Sequence, residues 1–283
     1  MPELTRASNR GTTLIECAAA LVISSVLLGA VWSLLLAGWR TSSAETASVE
    51  VRQNVRAAAA LLRGELLGVS VPAGDLLRIS DSAITLRATR ALGFICATIS
   101  SATIVLGDSL LSSTRTVDPA RDSALVFREG DPGLSADDRW LHAGIASTHG
   151  GQCDDASGGT ALALAGVSAE DLAGVVNGAP VRTFEVLEYR RYADADHIGW
   201  LGVHGPSGAG WAALSPVAGP LRAKDGVVFR FTRKDGLATG VPGDVAIVEA
   251  SIHGLDPRLL TAPGRPLGPS VDSMTVRVFV GGP

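Results

Sequence analysis

Between Cys17 and Trp39 the chain carries no charged residue over 23 positions, and this run restricts what the chain can become more than any other feature. At about 1.5 Å per residue, a helix of that length crosses a hydrocarbon core of roughly 30 Å. The apolar block begins at Leu14, and Glu16 is its only charge. A soluble globular helix has no need of such a run, so the chain is expected to be membrane-inserted at some stage. Ahead of it lie Arg6, Arg10 and a single acid, Glu3. Basic residues before an apolar span hold that side in the cytoplasm, which puts the body outside. A secretory signal peptide also starts with a basic region, but its apolar core runs about 7–15 residues and ends at a small-residue cleavage site. Here the core is longer, and Arg40-Thr41-Ser42-Ser43 follows it. The run alone also allows a plain signal anchor, or a secreted protein cut after the run.

Glu16 weighs against the plain anchor. A carboxylate at the edge of an uncharged span is costly, and intramembrane ionisable groups are functional candidates that need a partner. The string Arg10-Gly11-Thr12-Thr13-Leu14-Ile15-Glu16 resembles the class III signal of type IV pilins and type II secretion pseudopilins. In that signal a glycine precedes the cut and a glutamate is the fifth residue of the mature chain. The resemblance implies that Gly11 ends a leader removed by a prepilin peptidase. It also implies that Thr12 becomes the N-methylated N-terminus and that Glu16 is the assembly glutamate, meeting a neighbour's amine and setting register between subunits. Thr12 departs from the family, which most often has phenylalanine there.

Beyond Trp39, apolar residues recur at Val51, Val55, Ala58, Leu62, Leu66 and Val69, in steps of three and four that mark one helix face. Arg52, Gln53, Arg56, Arg63 and Glu65 fall on the other faces, and Pro72 and Gly74 end the pattern. One helix from Thr12 to about Ser70 is therefore expected. Gly64 and Gly68 have a G-x-x-x-G spacing outside the span, read as close packing or fraying rather than a dimerisation motif.

After Pro72 come short runs parted by Gly, Pro, Asp and Ser. Strands are expected at Leu76–Ile79, Ala83–Arg87, Phe94–Thr98, Thr103–Leu106, Ala124–Arg128, Arg182–Tyr192, Val227–Thr232, Val245–Ile252 and Met274–Val280. Ala169–Val176 is the one stretch there with a helical period, and Gly202–Gly210 and Pro263–Pro269 read as loops. The expected class is α+β: a long N-terminal helix, half transmembrane and half amphipathic, packed on a mostly antiparallel β head. That is the pilin fold. Four segments follow: a cleaved leader over 1–11, a transmembrane and filament-core helix over 12–39, an amphipathic helix over 40–71, and a β-rich periplasmic head over 72–283. The large head, with Gln53-Asn54-Val55-Arg56 and Arg63-Gly64-Glu65-Leu66, resembles W-type minor pilins of type IV pili or J-type pseudopilins of type II secretion.

Chemistry is thin in the head. The net charge of -4 offers no basic stripe to neutralise phosphates, so no nucleic-acid partner is expected. His142, His149, His197, His204 and His253 form no zinc spacing and read as surface or loop residues. Asp194-Ala195-Asp196-His197-Ile198-Gly199 begins like a calcium loop but lacks ligands at the fifth and twelfth positions, and reads as a solvated turn. Asp154-Asp155 reads as a polar loop, and Ser207 lacks the second glycine of a nucleophile elbow. No metal, cofactor or catalytic residue is expected. Cys17 lies in the apolar block, while Cys96 and Cys153 pair if the body faces an oxidising compartment; two separate thiols are the alternative.

The expected function is a minor pilin or pseudopilin, not an enzyme, and its localisation is the inner membrane with the head in the periplasm. Its implied partners are the prepilin peptidase, other pilins or pseudopilins, and an inner-membrane assembly platform. The alternative is a signal-anchored periplasmic enzyme or binding protein.

Overall fold

The three-and-four spacing of Val51, Val55, Ala58, Leu62 and Leu66 becomes the buried face of a helix, each of these residues at 1% exposure or less. The computed structural model describes residues 13–100, 102–108, 112–131, 133–134, 136–207, 210–260 and 268–280. Helix α1 (Leu14–Leu67) stops three residues short of the expected Ser70. Turns through Gly74, which adopts a φ of 75°, replace its last turn. The described residues divide into two units. The helix up to Glu50 belongs with Asp256–Ser270, and Val51–Leu255 belongs with the segment from Val271 onward.

Fifteen strands are present among the described residues. They are β1 (Leu76–Ile79), β2 (Ala83–Ser100), β3 (Thr103–Gly107), β4 (Ser112–Ser113), β5 (Asp122–Arg128), β6 (Arg139–Gln152), β7 (Gly158–Ala165), β8 (Pro180–Ala193), β9 (Gly199–His204), β10 (Pro206–Ser207), β11 (Gly210–Trp211), β12 (Ser215–Leu221), β13 (Val227–Thr232), β14 (Ile247–Leu260) and β15 (Gly268–Phe279). A single turn of helix, α2 (Ala169–Leu172), follows β7, opened by a capping box between Ser168 and Asp171. The chain is α+β, with a long N-terminal helix whose second half packs on a large antiparallel sheet.

The pairing gives two assemblies that share β2 and β8. One is an open sheet in the order β1-β2-β8-β9-β12-β14-β13, with β15 also on β14. The other runs β2-β3-β7-β6-β5-β8 and closes, because β8 pairs back onto β2 from Ala83 opposite Arg190 to Phe94 opposite Pro180. A six-stranded antiparallel barrel results, and closure removes its sheet edges. Each assembly has its own core. Val51, Leu62 and Leu66 of α1 meet Ile84, Leu86, Leu201, Phe229 and Ile252 in the first. Ile95, Ile104, Leu106, Val126, Leu162 and Val181 fill the barrel, with Leu172 and Val175 from the α2 turn.

One bulge lets β2 serve both cores. The β2–β8 register shifts between Thr89 and Ala91, which leaves Arg90 as the extra residue. Ahead of it Ile84, Leu86 and Ala88 enter the first core, and after it Ala91 and Ile95 enter the second. Strand alternation has period two, so one inserted residue changes which parity faces inward. β8 has no such break: Val181, Leu187 and Tyr189 are all odd. The phase change is also why the sequence reads as two short strands, Ala83–Arg87 and Phe94–Thr98, where one long strand exists.

Further expectations are corrected. β6 and β7 were not foreseen, because Gly, Ala, Ser and His dilute the alternation of Leu141, Ala143 and Ile145. The expected loop Gly202–Gly210 is partly strand: Gly202 lies in β9 where Leu214 and Tyr192 cross it, 2.7 and 2.8 Å from where a Cβ would sit. Ala169–Val176 is helical only to Leu172. Of the other expected loop, Gly268 and Pro269 begin β15, and 263–267 lie outside the described residues.

Gly254 on β14 is where α1 presses on the sheet. A Cβ there would stand 2.6 Å from Val55 Cγ2 and 2.7 Å from Val51 Cγ1. Gly254→Val should therefore destabilise the head by about 1–3 kcal/mol and lower the melting temperature. Gly240→Val, which meets open space, serves as the control; equal melting temperatures for the two variants would refute the close approach.

Candidate functional site

Two regions carry the features singled out above: the first part of α1, and a charged seam inside the head. Gly11 and Thr12 lie outside the described residues. Glu16 sits in the first turn of α1 and is exposed. Its Oε2 accepts a hydrogen bond from the Thr13 backbone N–H at 2.9 Å, and Thr13 Oγ1 accepts one from the Glu16 N–H at 3.4 Å. This is a reciprocal capping box, which satisfies two of the donors left open at a helix start. Glu16 thus has a local partner within its own helix.

From Leu14 to Trp39 the large apolar side chains face outward, among them Leu14 at 90%, Leu34 at 72% and Trp39 at 77% exposure. By length and composition this helix can cross a membrane. A signal sequence near the N-terminus meets the same description. Ser25, Gly29, Ser33 and Ala37 recur every fourth residue, and the two serine hydroxyls donate to the Val22 and Ala30 carbonyls. Small residues at this spacing allow close helix approach in lipid, and no Cβ contact lies within 4 Å of Gly29. Cys17 is a free, exposed thiol.

The seam lies where the two cores of the head meet. Arg90, aimed by the β2 bulge, pairs with Glu65 of α1 at 3.1 Å and with Glu185 of β8 at 3.2 Å. Arg115 grips Asp122 of β5 through both guanidinium ends, at 2.6 and 2.8 Å, and reaches Glu185 at 3.0 Å. Tyr189 Oη donates to Glu65 at 3.1 Å. Burial, reinforced by the Glu65 charge beside it, pushes the Tyr189 phenol well above its ordinary value. Burial acts to lower Arg90, but Glu65 and Glu185 outweigh it and hold the guanidinium above its usual range. Glu65 was expected off the apolar face of the helix, among the arginines; it lies at the border of that face and turns toward the sheet. At the end of α1, Asp75 takes two hydrogen bonds from Arg182 and one from the Ser70 N–H at 2.9 Å. Thr183 Oγ1, fully buried on β8 between the seam and the barrel core, has no hydrogen-bond partner among the described residues.

Elsewhere the candidate ligands are engaged in turns. Asp194 Oδ1 accepts from the Asp196 and Ile198 N–H groups, and Oδ2 accepts from Trp200 Nε1 at 2.8 Å, so the calcium-like string is a closed turn. Asp155 caps Ser157 in the same way. His142, His149 and His197 are exposed, while His204 and His253 are half-buried on β9 and β14. No cluster of three His, Cys, Asp or Glu side chains able to hold a metal ion exists among the described residues. Cys96 of β2 and Cys153, just after β6, form a disulfide with a Cα separation of 5.0 Å. It closes a loop of 57 residues, which in the chain-entropy model stabilises a fold by roughly 4 kcal/mol.

No protein-family model, curated protein or solved structure matches the chain. A long apolar N-terminal helix on an antiparallel sheet is compatible with a pilin-like fold.

The seam was invisible to sequence reading because its members lie far apart in the chain. The one local signal was Arg90 breaking the alternation of β2. Arg90→Ala removes the cation that Glu65 and Glu185 share, while Glu185 keeps Arg115 and Glu65 keeps Tyr189. The loss should be about 1–3 kcal/mol, short of the about 3–5 kcal/mol of breaking a fully buried pair. Urea unfolding should show that loss; a change below about 1 kcal/mol would mean the seam behaves as a solvated surface.

Proposed function

We propose that this chain is a subunit of a type IV pilus or type II secretion-like filament, a minor pilin or pseudopilin. The observation that carries the reading is one helix with two natures. Its first part presents apolar side chains outward behind a Gly11–Glu16 signal, and its second part is the buried spine of an antiparallel head. A prepilin peptidase would remove 1–11 and leave the apolar run attached. The chain would wait in the inner membrane with its head in the periplasm, then pass through an assembly platform to other pilins or pseudopilins. Outward side chains over Leu14–Trp39 would hold neighbours together, with the Ser25–Ala37 ridge allowing close approach. The Cys96–Cys153 bridge suits an oxidising compartment.

Glu16 has a defined role in this scheme. In the isolated helix it caps Thr13. In a filament it would exchange that bond for a neighbour's Thr12 amine, and the ion pair would offset the burial of both charges in lipid.

Gly11→Val should block shortening of the chain while membrane insertion persists, since only a small residue fits ahead of the cut. Intact-mass analysis of the membrane form decides this. A chain that keeps residues 1–11 in the wild type, as a signal-anchored enzyme or binding protein would, refutes the peptidase step.

Glu16→Ala should still be processed and inserted but should be absent from sheared-filament fractions. Wild-type recovery there would remove the register role from Glu16.

A further inference from the structure

The second half of α1 carries a charge pattern that neither the fold nor the assembly signal uses. Arg52, Arg56 and Arg63 are exposed, and at about 100° per residue they fall within an arc of about 40° on one flank of the helix. Along the axis they are spaced by about 6 and about 10 Å. None of the three has a hydrogen-bond or ion-pair partner among the described residues. At three and four residues from each arginine the helix supplies no counter-charge. The positions three and four residues away are Ser48, Val49, Gln53, Val55, Ala59, Ala60, Leu66 and Leu67, with no acid among them. Arg52 and Arg56 instead stand at i and i+4, where like charges oppose helix formation. The other acids of this part of the helix do not pair with the ridge. Glu45, exposed on the same arc, lies two turns before Arg52, about 10 Å along the axis. Glu65 is spent inward on Arg90 and Tyr189, and Glu50 already has an interaction of its own.

We propose that this arginine ridge is a docking surface for a partner protein that presents carboxylates at the matching spacing, a helix with acids at i, i+4 and i+11. Three guanidinium forks in a row on a rigid helix fit that partner. The helix is held from behind by the first core, so the ridge is preorganised. Each guanidinium can take a carboxylate through two parallel N–H bonds. Opposite charge would relieve the Arg52–Arg56 repulsion that the free chain retains, and it would speed encounter as well as fix register. The inference is independent of the assembly reading. It requires neither cleavage at Gly11 nor any role for Glu16, so either can fail without the other.

The test uses the full chain in nanodiscs of zwitterionic phosphatidylcholine. The probe is a fluorescent helical peptide with glutamates at i, i+4 and i+11, and the comparison peptide has the same composition with its glutamates spread around the helix. Anisotropy titration should show the ridge-matched peptide binding about tenfold more tightly or better, with affinity falling steeply as salt rises. The Arg52→Gln/Arg56→Gln/Arg63→Gln chain should lose that preference while its melting temperature stays near wild type. If the triple variant unfolds, Arg56→Gln alone should show the same direction. Equal binding of the two peptides, or undiminished preference in the glutamine variants, overturns the proposal. So does stronger arginine-dependent sedimentation with phosphatidylserine vesicles than binding to the peptide, which would assign the ridge to a lipid surface.

Discussion

The carboxylate–guanidinium seam ties α1 to the three strands β2, β5 and β8 around which the two cores are built. Glu65 comes from α1, Arg90 from the bulge in β2, Asp122 from β5, Glu185 and Tyr189 from β8, and Arg115 from the segment before β5. Shifting any one of these elements by a residue would strand a charge in the interior. Leaving such a group unpaired costs far more than the pair itself contributes. A one-residue slip would also turn a strand's apolar set away from its core, so packing and seam select the same register.

The barrel and the sheet are less separate than two cores suggest. β2 and β8 are long enough to belong to both, and the Arg90 bulge changes the parity of β2 while β8 keeps its own. The same residue that re-phases the strand supplies the central cation of the seam. Geometry and electrostatics are thus solved at one position. The unpartnered Thr183 hydroxyl lies next to it, on the barrel side, and a valine would fill that place with similar volume and no orphaned polar group.

Local signals were legible and long-range ones were not. The buried face of α1 from Val51 to Leu66 follows from spacing, as do β1 and β13, where apolar residues meet clear turn residues. The Cys96–Cys153 pairing could be posed because only two cysteines lie in the body. β6 and β7 escaped because barrel walls accept Gly, Ala and Ser where an open sheet prefers branched side chains. The closure of β8 onto β2 escaped because nothing in either strand names its partner. For the candidate site, Glu16 stood out by being the lone charge in an apolar block. Glu65 was misplaced because helical periodicity assigns a face and not a neighbour, and its neighbour, Arg90, is on another element.

The sharing of β8 has a consequence for how the chain is made. Residues before Pro180 contain the helix and five of the six barrel strands, yet neither the barrel nor the sheet has its central ladder until β8 has emerged. Until β8 emerges, β2 is held by β1, β3 and β4 but its β8-facing edge and the barrel-lining residues stay open, a state exposed to wrong strand pairing. The ladder that ends this state joins residues about a hundred positions apart, as Ala83 and Arg190 show. Such non-local pairing makes folding slow. Helix α1 is complete long before, so time spent between emergence and closure is time in which a half-built head depends on its surroundings to keep other strands away.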